Sequence, residues 1–100
     1  MTDVLPTVEL RDDGYLLIPR DLAADRFPND LVFVTLRDEE MWLLPTRGPG
    51  GGGFLLKQRN AAGDRAVLVW EAVPPGTPAG PRPAVWDADA CALRLPLTLD

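Results

Sequence analysis

The stretch GYLLIPRDLAADR, residues 14–26, returns almost unchanged as GFLLKQRNAAGDR at residues 53–65. Seven of the thirteen aligned positions are identical. Each copy is followed by a long apolar stretch, a turn and a shorter apolar stretch that ends at proline, LLP at 43–45 and RLP at 94–96. Because self-similarity at a fixed spacing indicates a repeated structural unit, we predict a tandem duplication with a spacing of 39 residues.

Strand patterns, rather than helical spacing, dominate the rest of the chain. The stretches LVFVTL at 31–36 and AVLVW at 66–70 are rich in the branched and aromatic residues that favour strands. Eleven prolines and nine glycines fall mostly between such runs, which is typical of short strands joined by turns. Residues 21–26 alone suggest a helical turn, with Asp21 as its cap. The sequence predicts a mostly β fold, a small barrel or sandwich built from two similar β-hairpin units, with at most one or two short helical turns.

The length of the chain, 100 residues, fits one domain with a single core. We predict a single domain over 1–100 that contains repeat units at about 7–45 and 53–97. The Gly-rich stretch 46–53 would join them. The stretch PPGTPAGPRP at 74–83 is too rich in proline and glycine to predict regular structure, and we expect a long loop between the arms of a hairpin.

The charge of the chain is unevenly distributed. The net charge is −5, and the first 45 residues carry four arginines against ten acids, whereas the remainder carries six basic residues against five acids. An acidic surplus argues against nonspecific binding to nucleic acid. A polarised chain can steer a partner, or its own two halves, toward each other. Asp-rich turns explain the same imbalance without any partner, so both interpretations stay open.

Export and membrane signals are absent from the pattern. No apolar stretch approaches the ~18 residues that are needed to cross a bilayer. The first ten residues, MTDVLPTVEL, lack the basic and apolar segments of a signal peptide. The single cysteine has no intrachain partner for a disulfide. We therefore expect a cytoplasmic protein with no membrane partner.

Residues that carry catalysis or hold a cofactor are scarce. The chain has no histidine, the commonest general base and metal ligand. Cys91, the single thiol, falls on the apolar face of a last strand expected over 85–97, and we expect it in the core. The stretch GPGGGG at 48–53 satisfies G-x-G-x-x-G, but a strand pattern rather than a helix follows it, so we interpret it as a linker. We predict no enzymatic activity, no cofactor and no metal site.

The tryptophans are the strongest candidates for an interaction surface. Trp42 and Trp86 flank polar turn residues, so an outward orientation would make them interface hot spots. The alternative is that they anchor the core, where we also expect Trp70. The sequence favours a non-catalytic interaction or accessory module that binds another protein, whose identity it does not encode. The candidate interface residues are Trp42, Trp86, Asp38, Glu39 and Glu40.

Two pairs of arginines occupy equivalent positions in the two similar stretches. Arg20 corresponds to Arg59, and Arg26 corresponds to Arg65. Such duplicated arginines could form a paired anion-binding surface with twofold pseudo-symmetry. Alternatively, each arginine pairs with a neighbouring acid and holds its own turn.

The stretch GYLLIPRDLAADRFPNDLVFVTLRDEEMWLLP, residues 14–45, resembles the AbrB/MazE-type swapped-hairpin domain. Gly14, the strand that ends in Ile18-Pro19-Arg20, the short helical turn and the Asp30 step into a second strand carry the resemblance. It implies interlocked hairpins in one small barrel, usually in a homodimer, and a DNA-binding regulator or antitoxin. A tandem copy would let one chain supply both hairpins. Under this alternative the nucleic-acid-binding residues are Arg20, Lys57, Arg59 and Arg65.

Overall fold

Two antiparallel sheets make up most of the protein. The computed structural model describes residues 5–46 and 53–99. In chain order the elements are β1 (Thr7–Leu10), β2 (Tyr15–Ile18), α1 (Arg20–Arg26), β3 (Leu31–Arg37), β4 (Glu40–Pro45), β5 (Phe54–Leu55), β6 (Lys57–Gln58), β7 (Arg65–Leu68), a 3₁₀ turn (Trp70–Ala72), β8 (Gly80–Pro83), β9 (Val85–Asp87) and β10 (Ala92–Pro96). The predicted mostly β class is confirmed.

Each sheet has five strands in the described part of the chain. Sheet A has the order β6-β7-β2-β1-β8, and sheet B has the order β5-β3-β4-β10-β9. The chain passes from the edge of one sheet to the edge of the other at two places, between β5 and β6 and between β8 and β9. Leu56 and Ala84, the single residues at these crossings, are 2% and 0% exposed. The two sheets are therefore joined along both edges around one core.

The core is built by alternate residues of the strands. Leu16 and Ile18 of β2 are fully buried, and so is Val67 of β7, which pairs with Leu16. Each such side chain stabilises the fold by roughly 1.5–3 kcal/mol relative to an exposed one. From sheet B the core receives Val32, Met41, Leu43, Leu93 and Leu95.

The helix α1 depends on the second similar stretch. It begins at Arg20, after Pro19, and no side chain from its own N-terminus caps it, so the predicted capping role of Asp21 is wrong. Instead, the backbone N–H of Arg20 donates a hydrogen bond of 2.9 Å to Oδ1 of Asp64. The helix buries Ala23 and leads into the buried Phe27.

The two similar stretches differ in conformation. The first forms β2 and α1, whereas the second forms β5, β6 and a turn over 59–64. Gly63 stands where the first copy has Ala24, and its φ of 94° lies in the left-handed region, which does not continue a right-handed helix. Asn60 closes the turn by accepting the N–H of Asp64 at 3.1 Å. The duplication itself stays a prediction.

The proline-rich stretch is more regular than we expected. Its last residues, Gly80–Pro83, form β8 and pair with β1. Arg82 of β8 is 1% exposed, and within the described residues its guanidinium donates hydrogen bonds only to backbone carbonyls. These carbonyls belong to Pro78, Gly80, Pro96 and Leu97. Because a buried cation must be satisfied locally, Arg82 fixes this segment against the end of β10.

The last strand is interrupted. A turn over 88–91 separates β9 from β10, so the single strand predicted over 85–97 is wrong. Cys91 lies in this turn with a φ of 52° and is exposed, so its predicted place in the core is wrong as well. Within the described residues, no helix is long and apolar enough to cross a membrane.

Candidate functional site

Trp70 is exposed, although we expected it in the core. Its side chain is 64% exposed at the start of the 3₁₀ turn that follows β7. The preceding residue, Val69, is buried, and its N–H donates a hydrogen bond of 2.9 Å to the carbonyl of Gly14. The indole lies directly against Gly14, where an added Cβ would be 2.9 Å from Cε3 of Trp70. The missing side chain of Gly14 therefore makes the space that Trp70 occupies.

An apolar depression of about 410 Å³ lies on one side of Trp70. Leu68 and Tyr15 are cross-strand partners on the outer face of sheet A, and Leu55 approaches them from the edge of sheet B. Leu55 and Leu68 are 53% and 47% exposed. The lining is completed by Gly53, Phe54, Lys57, Ala66 and Glu71.

A second depression, of about 710 Å³, also borders Trp70 and shares Glu71 with the first. The proline-rich segment 73–79 forms its wall. Trp70 and two carboxylates, Asp12 and Glu71, complete its lining. Neither carboxylate belongs to an ion pair within residues 5–46 and 53–99. We call the two depressions together the Trp70 cleft. Its principal residues are Asp12, Tyr15, Leu55, Leu68, Trp70 and Glu71.

Trp42, a predicted interface residue, lies on the outer face of sheet B and is half-buried. The guanidinium carbons of Arg37 and Arg94 lie 4.9 and 4.7 Å from the centroid of its ring. Its Nε1 donates a hydrogen bond of 3.2 Å to Oε1 of Glu40. Both cations and the carboxylate are thus already engaged with the indole.

Arg94 connects two strands of sheet B through its ion pairs. Its Nη2 lies 2.7 Å from Oε1 of Glu40, and its Nη1 lies 3.0 Å from Oδ2 of Asp87. The pKa of Asp87 lies below its ordinary value, first because the backbone N–H of Ala90 donates to it and then because of Arg94. The two carboxylates raise the pKa of Arg94.

Trp86 does not share a surface with Trp42. It pairs with the buried Leu93 and packs against the core, on the inner face of sheet B. The guanidinium carbon of Arg26 lies 4.4 Å from its ring centroid. Asp38 and Glu39, the other predicted interface residues, form the exposed turn between β3 and β4. The structure therefore brings Trp42 together with Glu40, but not with Trp86.

The four basic residues proposed for nucleic acid have different surroundings. Nε of Arg20 lies 3.2 Å from Asp21, and Nε of Arg65 lies 3.0 Å from Asp30. Lys57 lines the apolar side of the Trp70 cleft instead. Arg59 lines a separate depression together with Pro19 and Asp64. Asp64 is the acceptor of the backbone N–H of Arg20.

Asp64 is the acid around which the second turn is organised. Its pKa is lowered mainly by the hydrogen bond from the Asn60 side chain and then by that from the backbone N–H of Arg20. Arg59 and Arg20 add a favourable charge interaction. Across residues 5–46 and 53–99, no group of three histidine, cysteine or acidic side chains is placed to hold a metal ion.

Comparison with known proteins returns no relative. No protein-family model, no curated protein and no solved structure matches this chain. Its candidate site therefore rests on its own geometry.

Sequence reasoning missed Trp70, although the pattern contained a signal. In AVLVW, residues 66–70, strict alternation places Val67 and Val69 on one face and Leu68 and Trp70 on the other. Only one face of this strand borders the core. The second apolar face was therefore a signal of an exposed apolar surface.

Proposed function

We propose that this protein is a non-catalytic interaction module that binds another protein through the Trp70 cleft. The observation that carries the proposal is the convergence of three exposed apolar side chains, Leu55, Leu68 and Trp70, on one concave surface. Contiguous exposed apolar surface is typical of sites where proteins interact. Tryptophan in such a surface is the residue type most enriched among hot spots.

The rigidity of the site supports the same proposal. Trp70 packs against Gly14, and the residue before it, Val69, donates a backbone hydrogen bond to the carbonyl of Gly14. An aromatic side chain that is already ordered loses little conformational entropy on binding. Its burial by a partner removes up to about 150–250 Å² of surface from water.

Trp42 and Trp86 are weaker candidates for the same role. Two guanidinium groups lie over the indole ring of Trp42, and its N–H has an acceptor. Trp86 packs against the core. We therefore propose Trp70 as the anchor, with the Asp38-Glu39-Glu40 turn as a separate acidic surface beside Trp42.

A DNA-binding regulator of the AbrB/MazE kind is the second candidate. In sheet A, the hairpins β1–β2 and β6–β7 lie side by side and pair through β2 and β7. In sheet B, the hairpins β3–β4 and β9–β10 pair in the same way through β4 and β10. This arrangement favours two intertwined hairpin units. The ion pairs of Arg20 and Arg65 weigh against a role for them in DNA binding. A gel-shift titration tests the candidate, because DNA binding that depends on phosphate contacts is strongest at low salt; no shift at low salt eliminates it.

Affinity capture from the native cells, followed by quantitative mass spectrometry, tests the main proposal. We expect wild-type protein to enrich at least one protein that Trp70→Ala does not. Phe33→Ala is the matched control, since Phe33 is a 50% exposed aromatic residue on the outer face of sheet B. Equal recovery by Trp70→Ala and wild type, or no enrichment over the tag alone, contradicts the proposal.

A further inference from the structure

We infer that the Trp70 cleft receives a peptide segment that carries a basic side chain close to an apolar side chain. The inference rests on the proposed function and specifies the chemistry of the partner. It follows from three features of the cleft: the carboxylates beside Trp70, the exposed leucines, and the order of the charged and apolar groups along the chain.

The first feature is the negative charge beside the indole. Asp12 and Glu71 line the same depression as Trp70, and neither has a basic partner within the described part of the chain. A guanidinium or ammonium group over the exposed indole face gains a cation–π interaction. The two carboxylates add direct charge complementarity.

The wall of this depression suits the stem of a long basic side chain. Val73, Pro74 and Pro75 contribute apolar surface next to the carboxylates. Lysine and arginine bury their methylene groups along such surface while the charged end stays near acids and water. The combination of apolar wall, indole and carboxylates therefore favours a basic side chain over a small inorganic cation.

The second feature is the apolar depression that also borders Trp70. Leu55 and Leu68 expose about half of their side chains there, beside Tyr15. An aliphatic side chain placed between them would be removed from water on several sides. Lys57 and Glu71 also line this part of the cleft, and Lys57 forms no ion pair among residues 5–46 and 53–99.

The third feature is the order of these groups along the chain. β7 ends at Leu68, and Trp70 begins the 3₁₀ turn that follows it. Lys57 pairs with Ala66, two residues before Leu68 in β7, so Leu68 lies between the cation and the indole in sequence. A peptide segment whose side chains follow the order basic, apolar, acidic therefore matches the order of charges along the cleft.

Titration with synthetic peptides, followed by two-dimensional NMR of the intact protein, tests the inference. The probes are N-acetyl-GRSLSEG-amide and its reversed order N-acetyl-GESLSRG-amide, because the cleft does not fix the direction of the partner. The control peptide N-acetyl-GQSLSEG-amide lacks the basic side chain. The Trp70 indole N–H resonance is assigned with Trp70→Phe.

We expect one of the two probes to shift the Trp70 indole and the methyl groups of Leu55 and Leu68 at millimolar concentration. The arginine peptide should bind about two- to five-fold more tightly than its glutamine control, the range of an exposed cation–π contact. Asp12→Asn with Glu71→Gln should remove this preference. Asp89→Asn, an exposed acid in the β9–β10 turn, is the matched control and should keep it.

The outcomes separate this inference from the proposed function. If no probe shifts these resonances, or if the Asp12→Asn, Glu71→Gln variant keeps the full preference for arginine, the inference is wrong. If affinity capture nevertheless finds a partner that depends on Trp70, the proposed function stands with a partner of different chemistry. Each variant is folded if its NMR spectrum matches that of the wild type for residues outside the cleft.

Discussion

Gly14 and Trp70 are in direct contact: a Cβ at Gly14 would lie 2.8 Å from Cβ of Trp70. Gly14 is buried, and its φ of 91° lies in the region that favours glycine. The first residue of the repeated stretch thus has a defined task, since it turns the chain into β2 and leaves space for the candidate anchor. Stability and the position of the indole are coupled at this point.

Gly14→Ala should therefore destabilise the protein by about 2–4 kcal/mol, which combines the left-handed backbone with overpacking against Trp70. Urea unfolding measures the change. Gly76→Ala is the matched control, because Gly76 has a similar φ of 85° but nothing within 4 Å of the added methyl group. The control should lose only about 1 kcal/mol. Equal losses in the two variants would refute the packing role of Gly14.

Some parts of this fold could be predicted because local chemistry decides them. The stretch 31–36, predicted as a strand, lies within β3, and the LLP at 43–45 forms the end of β4. Branched and aromatic residues favour strands because they fit a half-buried pleated surface. Cys91 shows the limit. Alternation placed it in the core, but a turn at 88–91 shifts the register, and periodicity does not detect a turn built from Ala-Asp-Ala-Cys.

Other parts depend on contacts between distant residues. β8 exists in a glycine- and proline-rich stretch because Arg82 reaches carbonyls of Pro96 and Leu97 at the end of β10. The first turn of α1 is bonded by Asp64, 44 residues away. The Trp70 cleft was missed for a related reason. Alternation at 66–70 gives two apolar faces, and the packing of sheet A against sheet B decides which of them is buried.

Arg82→Met should be among the most destabilising substitutions in the chain. The change leaves buried carbonyls without their donors, and each such group costs about 1–3 kcal/mol, so we expect a loss of at least about 3 kcal/mol. Burial lowers the pKa of Arg82, but the carbonyls keep the cation satisfied. Arg11→Met is the control, since Arg11 forms an exposed pair with Asp13 that is worth about 0–1 kcal/mol. Urea unfolding curves that coincide for the two variants would contradict this role.

Acid should weaken the β9–β10 region through Asp87. The pKa of Asp87 is lower in the folded protein than in the unfolded chain, because Ala90 and Arg94 donate to the carboxylate. The folded state therefore binds this proton less well than the unfolded state. The resulting stabilisation is fully present above the ordinary aspartate pKa of about 3.9 and is lost as the pH falls through the lower folded value.

Asp87→Asn should accordingly lose stability at neutral pH and show a smaller further loss between pH values of about 5 and 2, where wild-type Asp87 becomes protonated. Denaturant midpoints across this range measure the effect. Asp89→Asn removes an equal charge two residues away, in the turn after β9, without touching Arg94, and it should keep the wild-type acid profile. An unchanged profile in Asp87→Asn would show that Asp87 does not contribute.

The pair of Arg94 and Glu40 should show measurable energetic coupling, because two donors of Arg94, Nε and Nη2, approach the same Oε1 at 3.0 and 2.7 Å. Both side chains are only about one third exposed, at 36% and 30%. A double-mutant cycle with Arg94→Met and Glu40→Gln should give a coupling energy of about 0.5–1 kcal/mol that decreases with added salt.

The same double-mutant cycle on Arg11 and Asp13 is the comparison, because the side chains of that pair are more exposed, at 43% and 44%. Its coupling energy should be only about 0.2 kcal/mol. Because Trp42 donates to the same Glu40 oxygen, Glu40→Gln should also change the indole fluorescence of Trp42, measured as the difference from a Trp42→Phe background. A coupling energy no larger than that of the Arg11–Asp13 pair would contradict the stabilising role that we assign to the pair of Arg94 and Glu40.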